Sequence, residues 1–130
     1  MTDRPARPRV LVVDDGALIR LYYRETLEAA GFEVAEALNG IEALEKVLSE
    51  PFDLLVVDIN MPKMDGMSFL RNLRGETAAA AAVPALVISS EAGEQDADDA
   101  RAAGANYYLV KPVAAADLVL HVAVLTGVTA

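Results

Sequence analysis

Leu54-Leu55-Val56-Val57 runs without a polar residue straight into Asp58, and a loop punctuated by Pro62 and Gly66 follows at once. Four consecutive apolar residues, two of them β-branched, read as a strand buried on both faces, which is the habit of a parallel sheet. Parallel neighbours need crossover connections, normally helices, so this one pattern restricts the chain to few architectures. It recurs. Val10-Leu11-Val12-Val13 runs into Asp14-Asp15, Ala85-Leu86-Val87-Ile88 into Ser89-Ser90-Glu91, and Asn106-Tyr107-Tyr108-Leu109-Val110 into Lys111-Pro112. Phe32 to Ala37 supplies a shorter strand.

The intervening stretches carry helical spacing. A helix is predicted from Gly16 or Ala17 to about Ala30, with Leu18, Leu21, Tyr22 and Leu27 as its stripe and Gly31 as its stop. Asn39 caps a second, striped by Ile41, Leu44, Val47 and Leu48. A third starts at about Gly66 and points Phe69, Leu70 and Leu73 inward. The Ala78–Ala82 run has no face and fits either an extension of that helix or a loop. The segment from about Glu94 to Ala103 has only alanines to bury and clusters Asp96, Asp98 and Asp99. In the last helix, from about Ala114 to Leu125, Leu118, Val122 and Leu125 share the inward stripe; Val119, Leu120, Ala123 and Val124 fall on its sides and back.

Five strands alternating with five helices imply an α/β fold. The expected form is a doubly wound, five-stranded parallel sheet of order 2-1-3-4-5 with helices on both faces, the flavodoxin-like arrangement. Its switch point falls between strands 1 and 3. At 130 residues this is one domain, assigned to residues 8–127, behind a flexible N-terminal arm at 1–7. Arg4, Arg7 and Arg9 belong to that N-terminal stretch. No repeat or linker leads to a second domain.

A hydrophobic share of 54% and a mean hydropathy of +0.29 exclude a disordered chain. With no cysteine and a single histidine, neither a disulfide framework nor a zinc site of the usual ligands is expected. A net charge of −9 argues against direct contact with nucleic acid or anionic membranes. No apolar run is long enough to span a membrane, and no signal-peptide core opens the chain, so a cytoplasmic location is expected.

In the predicted topology strands 1, 3, 4 and 5 are neighbours, so Asp14, Asp15, Asp58, Ser89 and Lys111 converge at one carboxyl edge, where open α/β sheets bind ligands. Singly, each has an ordinary use: turn carboxylates, a helix-capping serine, a solvated Lys-Pro loop. Together they form a chemical set. Three crowded carboxylates call for a cation, and hard oxygen donors with room for water suit Mg²⁺. A carboxylate beside that metal can attack a phosphoryl group, with a lysine and a hydroxyl to meet the developing charge. The set is that of a phosphoryl-accepting site.

These residues, with the loop Asp58-Ile59-Asn60-Met61-Pro62-Lys63-Met64-Asp65-Gly66 and Tyr108 three places before Lys111-Pro112, give the chain a close resemblance to the receiver domain of two-component response regulators, the stand-alone CheY-like type. The resemblance covers about residues 8–126. It implies Asp58 as phosphoacceptor and Mg²⁺ as cofactor, with Mn²⁺ as an alternative. Asp14, Asp15, Asp58 and the backbone carbonyl of Asn60 would hold the metal. Ser89 and Lys111 would bind the phosphoryl oxygens, Tyr108 would be the rotameric switch, and Asn60 and Glu91 would govern water access. It further implies a histidine kinase or histidine phosphotransfer protein as donor, and a downstream protein target or self-association through the last helix. The output face would comprise the Glu94–Ala103 helix, the fifth strand and the last helix. No enzyme activity is expected beyond Mg-dependent self-phosphorylation and autodephosphorylation. Two departures stand out: Gly16-Ala17 after the acidic pair, and serine at 89 where threonine is commoner.

A haloacid-dehalogenase-type phosphatase also uses a strand-end aspartate, but it needs a second Asp two residues on as acid and base. That position is Asn60, which moves no protons at neutral pH. A degenerate receiver that only binds partners would lack a site residue, and none is missing. Neither GxGxxG nor GxxxxGK[ST] occurs, which removes the common nucleotide-binding motifs. A transcription factor would need a DNA-binding region, for which the chain has no room.

Overall fold

The computed structural model describes residues 7–127. Apart from Arg7, the expected arm at 1–7 lies outside the described residues. Arg9 belongs to no arm. It opens β1 (Arg9–Val13), where its guanidinium bonds Glu33, Glu50 and the Pro51 carbonyl and lies 4.7 Å from the Phe52 ring centre.

After β1 come α1 (Ala17–Ala29), β2 (Glu33–Ala37), α2 (Gly40–Ser49), β3 (Leu54–Val57), α3 (Gly66–Arg74), α4 (Ala78–Ala81), β4 (Ala85–Ser89), α5 (Glu94–Ala103), β5 (Tyr107–Val110) and α6 (Ala115–Thr126). The strands form one parallel sheet of order β2-β1-β3-β4-β5, as expected. Register explains the wholly apolar strands. Leu11, Val13, Leu55, Val57 and Val87 point to the side covered by α2, α3 and α5. Val10, Val12, Leu54, Val56, Leu86 and Ile88 point to the side covered by α1 and α6. With core on both faces, β1, β3 and β4 read as continuous apolar runs from Val10, Leu54 and Ala85 until their carboxyl ends.

In two helices the inward face agrees with the expected stripe only in part: Leu27 of α1 and Val47 of α2 are buried as expected, and other members of each stripe are not. In α1 the sheet-facing residues are Ile19, Tyr23 and Leu27, whereas Leu18, Leu21 and Tyr22 are exposed, Leu18 at 83%. In α2, Ala43 and Val47 are buried with Leu44 beside them, and Ile41 and Leu48 face out. The cause at α2 is local: a Cβ on Gly40 would lie 2.5 Å from the Met64 carbonyl oxygen, so the β3–α3 loop requires small residues there. The remaining helices follow the pattern. Phe69, Leu70 and Leu73 of α3 and Leu118 and Val122 of α6 are fully buried, and Leu125 is partly so. Asn39 and Asp65 cap α2 and α3 through Glu42 N–H and Ser68 N–H. The alanine run is a separate short helix, α4, split from α3 at Gly75–Thr77, so the described residues hold six helices rather than five.

At the end of α3 the Arg74 guanidinium donates to the carbonyls of Gly104, Ala81 and Val83 and to Asn106 Oδ1. Burial holds its pKa below the ordinary value. Gly104 has φ +120, and a Cβ there would lie 2.7 Å from Arg74 Cγ, so backbone strain and the neighbour both demand glycine.

Candidate functional site

The carboxyl edge of the sheet is assembled by the backbone first. Asp58 N–H donates to the Val13 carbonyl at 2.9 Å, and Lys111 N–H to the Ser89 carbonyl at 2.8 Å, so the ladder continues to the last residue of each strand. Asp14, Asp58 and Ser89 are thereby buried at 4%, 8% and 0% exposure, while Asp15 stands exposed. Gly66 closes the loop tightly: a Cβ on it would lie 2.3 Å from the Asp58 carbonyl oxygen. Lys63 takes the left-handed conformation, φ 68, that the loop needs to turn back.

Carboxylate oxygens of Asp14, Asp15 and Asp58 lie within 4.8 Å of one another. Lys111 Nζ stands 3.3 Å from Asp14 Oδ2 and 3.4 Å from Asp58 Oδ1. Burial, then the charge of Asp14, pushes the Asp58 carboxyl above its ordinary pKa; Lys111 opposes this and Asp15 adds to it. Three hard oxygen donors, one of them exposed, match what Mg²⁺ takes from proteins: few carboxylates, with open positions left for water and phosphate. The residues fit the metal.

Ser89 Oγ accepts from Glu91 N–H at 3.1 Å. Tyr108, half-buried, donates its hydroxyl to the Glu91 carbonyl at 2.6 Å. Both groups therefore meet at residue 91. Asn60 and the Glu91 side chain are exposed at the rim, two residues beyond Asp58 and Ser89 respectively. The Lys111–Pro112 peptide is cis.

Two residues near the site were not visible as such in the sequence. Arg20, on α1, donates to the Asp14 backbone carbonyl at 2.8 Å and to Glu36 Oε1 at 2.9 Å. Only its place one turn into the helix that follows the acidic pair hinted at it. Tyr23 is buried, and its hydroxyl has no hydrogen-bond partner. Its pKa is pushed up, first by burial and then by the charges of Asp14 and Asp58.

The profile of the response regulator receiver domain matches residues 10–123. Among curated proteins, a gliding motility regulatory protein of Myxococcus xanthus is 42% identical over 85% of this chain and 14% of its own length. The transcriptional regulatory protein PrrA of Mycobacterium tuberculosis is 43% identical over 88% of this chain and 48% of its own. The chain thus spans less than half the length of these relatives. Among solved structures, the chemotaxis response regulator CheY4 of Vibrio cholerae is 33% identical with a TM-score of 0.87, over 92% of this chain and 99% of that one. The receiver domain of a Pseudomonas aeruginosa sensor histidine kinase, solved with a magnesium ion in its active-site cleft, is 26% identical with a TM-score of 0.86, over 94% and 99%.

Proposed function

The chain belongs to the response regulator receiver domain family, and on that premise we propose that it accepts a phosphoryl group on Asp58 from a histidine kinase or histidine phosphotransfer protein. The observation that carries this is the packing of Asp14, Asp15 and Asp58 oxygens within 4.8 Å, with the Lys111 ammonium against two of them.

An Asp58 carboxylate oxygen attacks phosphorus, and the bond from phosphorus to the donor nitrogen breaks, returning the electron pair to the imidazole. Burial of Asp58 strips it of water and makes it a better nucleophile than an exposed carboxylate. Lys111 leaves its carboxylate partners to meet the new phosphoryl oxygens, and Ser89 offers its hydroxyl to another. Asp14, Asp15, Asp58 and the Asn60 carbonyl would hold Mg²⁺, or Mn²⁺ in its place, and the ion would supply the positive charge that neutralises the crowded carboxylates. The magnesium-bearing Pseudomonas receiver supports that choice of metal. Asn60 and Glu91 stand where they can orient the water that later hydrolyses the acyl phosphate. The chemistry ends on the chain's own aspartate, with no substrate turned over besides.

Readout follows from residue 91. Once Ser89 turns toward the phosphoryl group it releases Glu91 N–H, and the Tyr108 tether moves with the loop. A protein partner, or a second copy, then senses the face of α5, β5 and α6. The match over 99% of a chemotaxis regulator supports a single receiver domain over residues 8–127. A cytoplasmic place of work belongs to the same proposal. Among the described residues no helix is long and apolar enough to cross a membrane.

The test is mass spectrometry after incubation with Mg²⁺ and a small phosphodonor. One phosphoryl group is expected, on Asp58, and none on Asp58→Asn. Equal labelling of that variant overturns the assignment.

A further inference from the structure

The carboxylates of the site are aimed by a turn, and the turn is gripped from behind by a residue that touches no ligand. Asp14 Oδ1 already accepts from Gly16 N–H at 2.8 Å, which leaves Oδ2 for Lys111 or a cation. The Asp14 amide is bonded to the Ala37 carbonyl. Its carbonyl receives Arg20 Nη1 at 2.8 Å. With these contacts the peptide between Asp14 and Asp15 has little freedom to rotate, and that peptide sets the direction of the exposed Asp15 side chain.

Arg20 is itself anchored. Its Nε donates to Glu36 Oε1 at 2.9 Å, and its side chain is 13% exposed. Arg24 bonds the other Glu36 oxygen. Arg24, on the same helix one turn on, contacts Glu36 and Glu28 only. The two arginines carry like charge and share Glu36; Arg24 is the more exposed, at 39% against 13%, and only Arg20 holds the acidic turn.

From this geometry we propose that Arg20 is a positioning residue for divalent-cation binding: it fixes the Asp14–Asp15 peptide so that the carboxylates of both residues meet the ion together with Asp58. The proposal rests on the reading of those three carboxylates as the Mg²⁺ site. Partners that orient ligands in this way are commonly worth roughly ten- to a hundredfold in metal affinity.

Charge and position predict opposite signs here, which makes the test sharp. Removing a guanidinium beside an acidic cluster removes repulsion toward an incoming cation, so by Coulomb's law alone Arg20→Gln binds Mg²⁺ more tightly. Positioning predicts the reverse, an affinity about tenfold weaker. Isothermal titration calorimetry of the full chain with MgCl₂ reads this without any phosphoryl donor. Arg20→Lys keeps the charge but not the two-pronged hold on Glu36 and Asp14, and it is also expected to weaken binding. It carries the test if Arg20→Gln fails to fold. Arg24→Gln should bind Mg²⁺ as the wild type does, or more tightly. Arg20 variants that bind Mg²⁺ as tightly as wild type, or an equal loss in Arg24→Gln, overturn the proposal. Absence of Mg²⁺ binding by the wild type instead removes the metal-site reading beneath it.

Discussion

Lys111 Nζ lies 3.4 Å from Asp58 Oδ1, so the buried carboxylate after β3 meets a cation that reaches it from the end of β5, across β4. The same ammonium reaches Asp14, and it is a quarter exposed, which allows it to leave. Lys111→Met should therefore destabilise the metal-free protein at neutral pH, by about 1–2 kcal/mol, since two buried carboxylates lose their partner. Mg²⁺ should recover most of that loss by neutralising the same groups. Thermal unfolding with and without the ion checks both halves; a metal-free variant as stable as wild type would show that the bridge contributes nothing.

Tyr23→Phe should stabilise. The hydroxyl is buried without a partner, and an unsatisfied group of that kind costs about 1–3 kcal/mol. A gain of about 1 kcal/mol is expected in chemical denaturation. A loss would reveal that the hydroxyl is hydrogen-bonded in solution.

Arg74→Met should be among the costlier single changes outside the core. It strands carbonyls of three residues that the guanidinium now satisfies, for a loss of about 2–4 kcal/mol. Hydrogen exchange should show the loosening first around Gly104 and the start of β5. Uniform exchange along α5 in the variant and in wild type alike would refute that role.

Glu36 gives the fold an acid-sensitive joint. Hydrogen bonds from Arg24, then from Arg20, hold its carboxyl below the ordinary pKa. A depressed carboxyl stabilises above its unfolded pKa, and that contribution fades as pH falls through the folded value. Glu36→Gln should thus cost about 1 kcal/mol near pH 7, limited by solvent screening. The gap between variant and wild type should close below about pH 4. Parallel unfolding curves across that whole range would contradict it.

Leu120 and Val124 of α6 are 57% and 68% exposed, on the side of the helix away from Leu118 and Val122. Leu120→Glu combined with Val124→Glu should leave the fold intact and weaken self-association or partner binding, as read by sedimentation and pull-down. Wild-type assembly and binding in the double variant would place the output surface elsewhere.

The sheet and its edge were legible because burial on both faces leaves an unbroken apolar signature, and because strand order then brings the strand ends together. Asp14, Asp58 and Ser89 needed no more than that. The faces of α1 and α2 were legible only in part, for a specific reason. Ile19, Tyr23 and Leu27 form an i, i+4, i+8 stripe as regular as the one through Leu18, Leu21, Tyr22 and Leu27, so periodicity alone picked out Leu27 but not the residues that join it. In α2 the decision lay with Gly40 and Ala43, small residues that no hydrophobic pattern marks. The alanines at 78–81 have helix propensity without direction. Arg74 on Gly104 pairs residues thirty apart, which local sequence does not encode, and Arg20, only six residues from Asp14, carries no pattern that shows its side chain turning back to that carbonyl.

The hold of Arg74 on Gly104 also sets how α5 can travel. That helix buries only Ala100 and Ala103, both toward its C-terminal half, so little besides the latch secures it. Its leading end follows the loop through Glu91, where Ser89 and Tyr108 meet. A rod clamped at one end can only swing at the other. Over ten residues, about 15 Å of helix, a shift of about 1 Å at the free end tilts the axis by roughly 4°. The clamp sits just before β5 begins, whereas the other end of α5 leads on from the loop after Ser89, at the sheet edge that carries Asp58. On the proposed phosphoryl transfer to Asp58, the expected response is a rotation of the α5 surface about its Arg74-held end, and Arg74→Met should enlarge it.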